Sequence, residues 1–587
     1  MDDKLLKIRH TSSHVMAQAV LELFPDAKIA IGPAIEEGFY YDFDFGKKSP
    51  TDDDLKEIEK VMRHIIKQNQ KLEQYDVKID EAINYLKSKK QPYKVELAQD
   101  LKKQGEQKLS FYVMVAQDGK RKFNDMCAGP HVESTKEIGA VKLMKLAGAY
   151  WRGDEKNKML TRIYGTAFGS EKELQGYLEM LAEAEKRDHR KLGKELGLFV
   201  FSELIGPGMP MYTPKGTLIR KMIINYSNEL QSKIGYQEVH TPNINKAELF
   251  KISGHYDKYK DDMLEVKSHY TDEQYYLKPM NCPQHTQIYA SQLRSYKDLP
   301  IRFADFANLY RDEKPGELNG LARLRCFAQD DGHSFCREDQ IEQEFKAVLD
   351  AIKEAMKTYQ MDYWIRLSLR DQSHKEKYIG NDEIWDKAET LLESILKKNK
   401  IDYRLGEGEA AFYGPKMDLM AKDAIGREWQ ISTIQLDFSM PNRFGLKYID
   451  KDGSEKTPVM IHRALIGSPE RFLGILIEHY GGAFPLWLAP VQVQIAAVSS
   501  KFNEACHEFA KQLKESGIRA EVDDSDETVG NKIRKAEKQR IPYMLVIGEK
   551  EIGNEILNVR VRGQKEAETL KRRDFIKRLV KEIDERK

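Results

Sequence analysis

The sequence predicts a multidomain α+β protein, and three observations support this prediction. The chain has 587 residues, whereas a domain typically holds about 100–200 residues. Helical spacing of apolar residues and strand-like alternation occur side by side over most of its length. The last segment instead alternates strand and helix regularly, which is typical of a compact α/β domain.

Composition excludes several classes of protein. Charged residues make up 32% of the chain and hydrophobic residues 41%, which is typical of a folded protein rather than a disordered one. No apolar run approaches the roughly 20 residues of a membrane-spanning helix, and the N-terminus lacks the apolar region of a secretory signal. The five cysteines lie far apart and are odd in number, which favours a reducing cytosol. We therefore expect a cytoplasmic protein with no membrane partner.

The formal net charge of +1 hides an uneven distribution of charge. Residues 529–587 carry 17 Lys and Arg against 10 Asp and Glu, a local charge of +7, so the rest of the chain carries −6. A basic C-terminal segment favours an anionic partner. A solvated helical face is the alternative explanation, and charge alone does not decide between the two.

Four segments follow one another along the chain. Residues 1–168 mix short helices with strand-like runs such as 38–43. Residues 169–198 are dense in charge, with Leu174, Leu178 and Leu181 at helical spacing, and predict an exposed connecting helix over 171–196. Residues 199–487 and 488–587 form the third and fourth segments. The predicted strands of the third include 236–241, 301–309 and 323–329; those of the fourth are 491–498, 519–522, 543–547 and 557–561, with helices at 503–515, 529–539 and 573–583.

Any phosphate binding must rely on side chains, because neither G-x-x-x-x-G-K-[ST] nor G-x-G-x-x-G occurs. Arginine suits this task, since its planar fork matches phosphate oxygens in pairs. Arg311 follows the predicted strand 301–309, and a loop with Gly316 and Gly320 leads into the strand 323–329. The pattern indicates a hairpin with an arginine at the base of its loop. An ordinary hairpin with surface arginines is the alternative.

Two further patterns flank this hairpin. Downstream, Ser468 can cap a helix whose first turn holds Pro469 and Arg471. Upstream, a helix ends near Gly235 and the strand 236–241 follows. In this order and spacing the three pieces resemble motifs 1, 2 and 3 of the class II aminoacyl-tRNA synthetases, and the class I signatures H-I-G-H and K-M-S-K-S are absent. The resemblance implies an antiparallel-sheet catalytic domain flanked by helices in the third segment.

One cysteine and two histidines are candidate metal ligands: Cys282, His333 and His462. One thiolate and two imidazoles leave a coordination position of zinc open, as in catalytic and ligand-binding sites. Because the three lie far apart in sequence, a buried cysteine and two satisfied histidines are the simpler explanation. The stretches around all three, with 148–153 and 162–167, nevertheless closely resemble the threonyl-tRNA synthetases, and the similarity runs essentially end to end. The resemblance implies one zinc ion per subunit, bound to the amino group and the hydroxyl of threonine.

The same resemblance implies a two-step reaction in which L-threonine reacts with ATP and is then passed to tRNA(Thr). Arg311 would neutralise the α-phosphate, Glu313 would contact the adenine and Arg471 would bind the γ-phosphate, with Mg²⁺ bridging phosphate oxygens. The other substrate-binding residues that the resemblance implies are Met280, Arg323, Phe327, Gln329, Asp331, Tyr413, Lys416, Gln430, Gln435 and Ser468.

The N-terminal segment carries a second set of candidate residues. His10 and His14 share one face if they are helical, and Cys127 and His131 follow Asp125. H-x-x-x-H with C-x-x-x-H resembles the editing domain that threonyl- and alanyl-tRNA synthetases share, which implies hydrolysis of seryl-tRNA(Thr). Such a step is needed because serine keeps the hydroxyl and lacks only a methyl group, worth roughly 1–3 kcal/mol. A second, structural zinc is the alternative, since two His, one Cys and one His complete a ligand set.

The sequence departs from the family pattern in several places. Ala128 stands where an arginine is usual, which predicts weaker binding of the tRNA terminus. Ile431-Ser432 replaces Cys-Gly, and Ser432 is expected near the amino-acid pocket. Asp526 replaces a frequent asparagine. The chain starts nine residues before His10, so we expect a form without the N-terminal ubiquitin-like (TGS) domain.

The C-terminal segment resembles the anticodon-binding domain of this subgroup, with Glu551 and Arg560 at base-reading positions. A homodimer is also expected, because motif 1 forms the dimer interface in relatives. Two alternatives stay open. A synthetase for proline, serine or histidine would share the motifs without the zinc set and the editing signature, and a non-catalytic tRNA-binding regulator would be expected to lose Arg311 or Arg471.

Overall fold

The computed structural model describes residues 3–47, 50–552 and 555–587, and the chain divides into two compact units, residues 1–182 and 183–587. Within those described ranges no helix combines the length and the apolar composition that a bilayer crossing requires.

The first unit contains two antiparallel sheets with helices packed on them. Its helices are α1 (Asp3–Leu23), α2 (Asp52–Lys67), α3 (Ile79–Ser88) and α4 (Pro92–Lys103). Its strands are β1 (Lys28–Ile29), β2 (Ala34–Ile35), β3 (Gly38–Asp44), β4 (Lys71–Lys78), β5 (Lys108–Val115), β6 (Arg121–Met126), β7 (Ala140–Tyr150) and β8 (Met159–Phe168). One sheet has the order β1-β3-β8-β7, with β2 on β3, and the other has the order β4-β5-β6.

Helix α1 is the central helix of the first unit. Nearly every side chain from Thr11 to Val20 is buried, polar ones included, so the helix is enclosed on most sides. Such a helix cannot be recognised by an amphipathic pattern, because that pattern needs a solvated face. Its polar residues must instead be paired inside the protein.

Two helices, α5 (Glu171–Arg187) and α6 (His189–Glu195), follow the first unit's last strand. The single connecting helix predicted over 171–196 is therefore wrong in one respect. Asp188 leaves the helical conformation and its side chain accepts the backbone N–H of Arg190 at 2.8 Å, which starts a new helix.

The central part of the second unit is built around one large sheet. Its helices are α7 (Pro214–Lys233), α8 (Ala247–Ser253), α9 (His255–Tyr259), α10 (Cys282–Ala290), α11 (Ile341–Thr358), α12 (Asp382–Lys398), α13 (Ser439–Arg443) and α14 (Pro469–His479). The strands of this part are β9 (Phe199–Val200), β10 (Met211–Tyr212), β11 (Gln237–Glu238), β12 (Ile244–Lys246), β13 (Glu265–Val266), β14 (Tyr275–Leu277), β15 (Ile301–Tyr310), β16 (Cys326–Cys336), β17 (Asp362–Leu369), β18 (Tyr403–Glu407), β19 (Lys416–Lys422), β20 (Glu428–Asp437), β21 (Tyr448–Ile449), β22 (Glu455–Lys456) and β23 (Val459–Ala464). Eight of them form the large sheet, in the order β11-β15-β16-β23-β20-β19-β17-β18. The pairs β11–β15 and β17–β18 are parallel and the other pairs of this sheet are antiparallel.

Two predicted strands of this sheet have different bounds. The strand predicted over 236–241 shortens to β11, and the one predicted over 323–329 begins three residues later, as β16. The second difference has a local cause: the backbone N–H groups of Ala322 and Arg323 both donate to the Asn319 carbonyl, which makes residues 319–323 a tight turn. The turn ends where the β15–β16 ladder begins.

The C-terminal part of the second unit is a mixed five-stranded sheet in the order β25-β24-β26-β27-β28, which confirms the predicted α/β pattern. Its strands are β24 (Val493–Ala497), β25 (Ala520–Asp523), β26 (Tyr543–Ile547), β27 (Ile556–Val561) and β28 (Glu568–Lys571). Its helices are α15 (Asn503–Glu515), α16 (Val529–Lys538), α17 (Glu549–Ile552) and α18 (Arg572–Asp584). The sequence analysis missed α17 and β28, which are four residues each and mostly polar.

Candidate functional site

Three buried side chains meet at the centre of the large sheet. Cys282 begins α10, and His333 and His462 face each other across the β16–β23 ladder. The thiol and one nitrogen of each ring lie within 4.8 Å of one another. Nε2 of His333 and Nδ1 of His462 are 3.1 Å apart. Strand register thus unites residues that are far apart in sequence.

Neighbouring side chains orient these three groups. Nε2 of His462 donates to the Asp437 carboxylate at 3.0 Å, so in the neutral ring Nδ1 keeps its lone pair. Nδ1 of His333 lies 2.7 Å from Nδ1 of His285, and the Cys282 sulfur lies 3.6 Å from Nε2 of His255. His255 and His285 were not predicted, and no sequence signal distinguishes them from ordinary buried histidines.

The donor set fits a zinc ion. A sulfur and two imidazole nitrogens converge, and orienting partners of this kind are usual around zinc ligands. Burial raises the pKa of the Cys282 thiol and lowers the pKa of His333. A bound dication would oppose the rise in the pKa of Cys282, because it binds the thiolate. The lowered pKa of His333 favours binding of the dication, because the neutral imidazole is the ligand.

Most of the predicted amino-acid-binding residues surround this cluster. The Tyr413 ring stacks on His462 with ring centroids 4.6 Å apart, and its hydroxyl donates to the Gln435 side chain. An Asp331 carboxylate oxygen lies 3.5 Å from Nε2 of His333. The Met280 sulfur accepts from Arg311 at 3.5 Å, at the side facing the predicted nucleotide site.

Lys416 and Gln430 meet at a carboxylate that the sequence analysis missed. Asp418 is fully buried, and its oxygens bind Lys416 Nζ at 2.9 Å and the Gln430 amide at 2.9 Å. Arg366 donates to the same carboxylate at 3.0 Å. The predicted pair thus belongs to a larger polar network around Asp418, in which Lys416 is bound to this carboxylate and Ser368 also donates to it at 2.8 Å.

A cavity of about 230 Å³ lies beside the cluster. It brings together eight residues predicted to bind the nucleotide or the amino acid: Arg311, Glu313, Arg323, Phe327, Gln329, Gln430, Ser468 and Arg471. They come from the β15–β16 hairpin, from β20 and from the first turn of α14. As predicted, Ser468 caps α14, accepting the backbone N–H of Arg471, and Pro469 is the first helical residue.

The two predicted phosphate-binding arginines of this cavity have no carboxylate partner. Among the described residues neither Arg311 nor Arg471 forms an ion pair; Arg471 donates to the Gln430 carbonyl at 2.6 Å, and Arg311 lies 5.2 Å over the Phe327 ring. Burial lowers the pKa of both guanidinium groups. Arg323, in contrast, is paired with Glu313 at 2.8 Å. Partly desolvated cations that form no ion pair among the described residues are suited to an anionic ligand.

Ile431 and Ser432, which depart from the family pattern, lie next to each other on β20. A β-bulge between β19 and β20 leaves Ile431 without an opposite residue on β19, and Ile431 lines the cavity. Ser432 is fully buried and its hydroxyl donates to the Leu465 carbonyl. The side chain of Ser432 is thus engaged inside the sheet, and its place near the amino-acid pocket stays a prediction.

A second cluster lies within the first unit, where His10 and His14 of α1 meet the loop after β6. The His131 ring lies 4.2 Å from that of His10 and 4.4 Å from that of His14. The Cys127 sulfur is 3.3 Å from Nε2 of His10 and 3.4 Å from Nε2 of His131. The two predicted motifs therefore form one site, and its four donor atoms could also hold a metal ion.

Asp125 connects this cluster to two residues that the sequence analysis missed. Its carboxylate accepts from the Tyr41 hydroxyl at 2.6 Å and pairs with Lys94 at 2.7 Å, and it lies 3.7 Å from Nε2 of His14. Lys94 and Asp125 are both buried. A single lysine in an ordinary helical stretch carries no sequence signal, so only packing reveals the pair.

Cys127 is held as a thiol in this arrangement. Burial raises its pKa to about 11 and lowers the pKa of His10. Nδ1 of His10 donates to the Pro130 carbonyl at 3.1 Å, which leaves Nε2 to accept from the thiol. A neutral thiol is a poor nucleophile, so the site is better suited to proton transfer than to covalent catalysis. Ala128, next to it, is exposed.

Glu551 and Arg560 lie in the C-terminal part of the second unit. The Glu551 carboxylate accepts the Gly548 backbone N–H at 3.0 Å and the Asn558 amide at 3.3 Å. Asn558 and Arg560 alternate on the exposed side of β27. The two predicted residues thus border one surface, with Asn558 between them; Asp526 is exposed elsewhere in this part.

Three family models match separate parts of the chain. A class II tRNA synthetase core domain (G, H, P, S and T) matches residues 264–480, an anticodon-binding domain matches 492–582, and the second additional domain of threonyl- and alanyl-tRNA synthetases matches 113–164. The first match contains the cluster of Cys282, His333 and His462, and it also contains Arg311 and Arg471. With the antiparallel sheet, these findings define the class: the class II aminoacyl-tRNA synthetases.

Relatives define the member of the class. The threonine–tRNA ligase of Cytophaga hutchinsonii is 47% identical over 98% of this chain and 88% of its own length. That of Clostridium acetobutylicum is 47% identical over 100% of this chain and 89% of its own. The chain belongs to the threonine–tRNA ligase family. The solved RNA-binding domain of threonyl-tRNA synthetase from Cryptosporidium parvum is also similar, with a TM-score of 0.64 and 37% identity over 67% of this chain and 98% of that one.

Proposed function

We propose that this chain activates L-threonine with ATP to threonyl-adenylate and transfers the threonyl group to the 3′ end of tRNA(Thr). The observation that carries the proposal is a pair of half-buried arginines, Arg311 and Arg471, that line one cavity and form no ion pair among the described residues. The family to which the chain belongs supports it. The alternative of a synthetase for proline, serine or histidine is set aside, because the full-length relatives are threonine–tRNA ligases.

The two arginines divide the triphosphate between them in this proposal. Arg311 neutralises the α-phosphate and stabilises the charge that develops as the threonine carboxylate attacks it. Arg471 binds the γ-phosphate and so orients pyrophosphate as the leaving group. Phe327 stacks on the adenine and Glu313 contacts it, while Mg²⁺ bound with ATP would neutralise part of the phosphate charge. Because both arginines are present, a purely non-catalytic tRNA-binding role is not favoured.

Threonine is recognised next to this cavity in the proposal. Cys282, His333 and His462 would hold one zinc ion per subunit, which supplies a Lewis acid for the amino group and the hydroxyl of threonine. The Asp331 carboxylate accepts a hydrogen bond from the threonine hydroxyl. Tyr413 and Gln435 close the other side of the pocket. Valine has a methyl group in place of the hydroxyl, and would leave Asp331 unpaired. A site built in this way rejects an isostere far better than an apolar pocket does.

Exchange of radiolabelled pyrophosphate into ATP tests the proposal directly. We expect threonine to support exchange, serine to support it weakly and valine to be inactive. Removal of zinc with a chelator should abolish threonine-dependent exchange, and added Zn²⁺ should restore it. Exchange that prefers another amino acid, or that is indifferent to the chelator, would contradict the assignment.

The cluster in the first unit edits seryl-tRNA(Thr) in this proposal. Serine is the substrate that the zinc site cannot reject, because it carries the same amino and hydroxyl groups as threonine. His10, His14 and His131 surround the ester and move protons for an attacking water, and Asp125 is held by Lys94 and Tyr41 to orient His14. The protonated Cys127 acts as a hydrogen-bonding group rather than a nucleophile.

Substitution of the cluster should separate editing from activation. For His14→Ala and Cys127→Ala we expect hydrolysis of seryl-tRNA(Thr) to slow about 100-fold, the typical contribution of one acid–base group. Threonine-dependent exchange should stay unchanged, which also shows that the variants fold. His64→Ala, at an exposed position on α2, is the matched control. Deacylation at the wild-type rate in both variants would refute the editing role.

The remaining assignments extend the same proposal. Residues 1–168 form the editing domain, 169–198 the connection, 199–487 the catalytic domain and 488–587 the anticodon-binding domain. In the last of these, Glu551 and Arg560 contact anticodon bases, supported by the basic charge of this end of the chain. The protein works as a homodimer in the cytoplasm, the usual arrangement for the family that the sequence resembles.

A further inference from the structure

A third group of possible metal ligands, in the second unit, is separate from the cluster of Cys282, His333 and His462. Asp188, His189 and Glu478 have ligand atoms within 4.8 Å of one another. His189 begins α6 and Glu478 lies near the end of α14. His189 and Glu478 are buried, and Nδ1 of His189 lies 2.6 Å from the Glu478 carboxylate. The proposed reaction uses none of these three residues directly.

The hydrogen bonds of His189 argue against a metal ion. The backbone N–H of Leu321 donates to Nε2 of His189 at 2.9 Å, so Nε2 has no proton and its lone pair is used. Nδ1 must then carry the proton, and it donates to Glu478. Asp188 is also engaged, by the Arg190 guanidinium and backbone. The ring therefore joins a backbone amide to a carboxylate, and no lone pair is free for a cation.

The amide that His189 binds belongs to the tight turn 319–323. Leu321 and Arg323 of this turn line the nucleotide cavity, and Arg323 is paired with Glu313 there. The turn packs closely against the imidazole ring of His189. A Cβ on Gly320 would lie 2.2 Å from Nε2 of His189, and Gly320 has a φ of +47°. Only glycine lets the turn approach the ring this closely.

The carboxylate at the other end of the ring belongs to the helix that carries Arg471. Glu478 also accepts the backbone N–H of His189 at 3.1 Å and pairs with Arg427 at 2.6 Å. Although burial opposes it, hydrogen bonding from His189 lowers the pKa of Glu478, so the carboxylate stays charged. Arg187 donates to the His479 carbonyl at 2.8 Å, at the end of the same helix. Three of these contacts fix this end of α14 to the segment 187–189.

We propose that His189 is a positioning residue of the nucleotide site, which ties the turn that presents Arg323 to the helix that presents Arg471. The inference rests on the proposed function, since the cavity is taken to bind ATP. The turn 319–323 and helix α14 each contribute one wall of the cavity. His189 links the two directly through its hydrogen bonds. Loss of the link to the turn should loosen ATP binding, while the threonine site, on β16 and β23, should be affected little.

Two near-isosteric variants separate the two hydrogen bonds. In His189→Asn the side-chain amide reaches the place of Nδ1 and can still donate to Glu478, but nothing accepts from Leu321. In His189→Gln the longer side chain places an oxygen near Nε2, where it can accept from Leu321. Leaving a buried N–H unpaired is costly, so we expect the KM for ATP to rise about 10-fold in His189→Asn. In His189→Gln the rise should be less than about 3-fold.

Pyrophosphate exchange with ATP and threonine varied separately measures these effects. Threonine KM should change less than about 2-fold in both variants. An exposed histidine, His374, forms a comparable hydrogen bond with Asp371 at 2.8 Å, and His374→Asn should behave as wild type. Equal losses in the two His189 variants, a fall in kcat with unchanged ATP KM, or a matching rise in threonine KM would overturn the proposal.

Two further measurements keep the test decisive. If His189→Asn does not fold, Gly320→Ala displaces the same turn and should show the same selective rise in ATP KM. The wild-type protein must first show threonine-dependent exchange. Absence of that exchange refutes the proposed function itself, whereas exchange that is normal in wild type and unaffected in all variants refutes only the role of His189.

Discussion

Replacing Arg311 with glutamine is expected to lower kcat/KM for threonine-dependent pyrophosphate exchange about 1,000-fold, the scale on which a charged group acts on phosphoryl-type transition states. Glutamine keeps hydrogen-bonding capacity but removes the positive charge. Because no carboxylate pairs with Arg311, its charge is available to the α-phosphate and the attacking carboxylate. Most of the loss should appear in kcat, since the charge on the reacting phosphorus centre is greatest in the transition state.

The same substitution should do little to stability. Taking a cation partly out of water without an ion pair costs free energy of folding, and the substitution removes this cost. The melting temperature of Arg311→Gln should therefore equal or exceed that of wild type. Arg404→Gln is the matched control, because Arg404 is exposed on β18 and stacks on Trp364 at 4.3 Å. A variant Arg311→Gln that keeps wild-type kcat/KM would show that the cavity is not the site of adenylate formation.

The second large effect is expected for Cys282→Ala, which removes the sulfur of the proposed zinc set. Two imidazoles alone make a weak site, so the purified variant should retain less than about one tenth of the zinc of wild type, as measured by atomic emission. Threonine activation should fall with the metal. The preference for threonine over valine should fall about 100-fold, because without the metal only Asp331 and packing remain to separate the two.

A second cysteine controls for the change in volume. Cys506 is fully buried in the core of the C-terminal part of the second unit and belongs to no group of possible metal ligands among the described residues. Cys506→Ala should destabilise the protein by about 1–2 kcal/mol through a small cavity, yet keep its zinc and its preference for threonine. Equal zinc content in the two variants, or an unchanged threonine-to-valine ratio in Cys282→Ala, would contradict the proposed role of the metal.

Local patterns in the sequence were sufficient for much of the fold. The strand 543–547 and the helix 503–515 were predicted with the bounds that the structure has, and His10 and His14, which share a face if they are helical, both lie on α1. The errors lie where a local interaction overrides the pattern. Asp188 divides one predicted helix into two, and the turn 319–323 delays the start of β16. Caps and turns of this kind depend on single side chains and backbone hydrogen bonds, which periodicity does not detect.

The sequence by itself determined the chemistry available to this protein: which side chains could ligate zinc, which arginines could meet phosphate, and, through resemblance, the class of enzyme. The tertiary structure alone decided how these groups are used. Strand register places His333 opposite His462, and packing leaves Arg311 outside any ion pair among the described residues, while Arg323 is paired with Glu313. It also buries Lys94 against Asp125 and sets His189 between Leu321 and Glu478. The physical reason is that pairing and desolvation are properties of neighbours in space, and these neighbours are 10 to 289 residues apart in the chain.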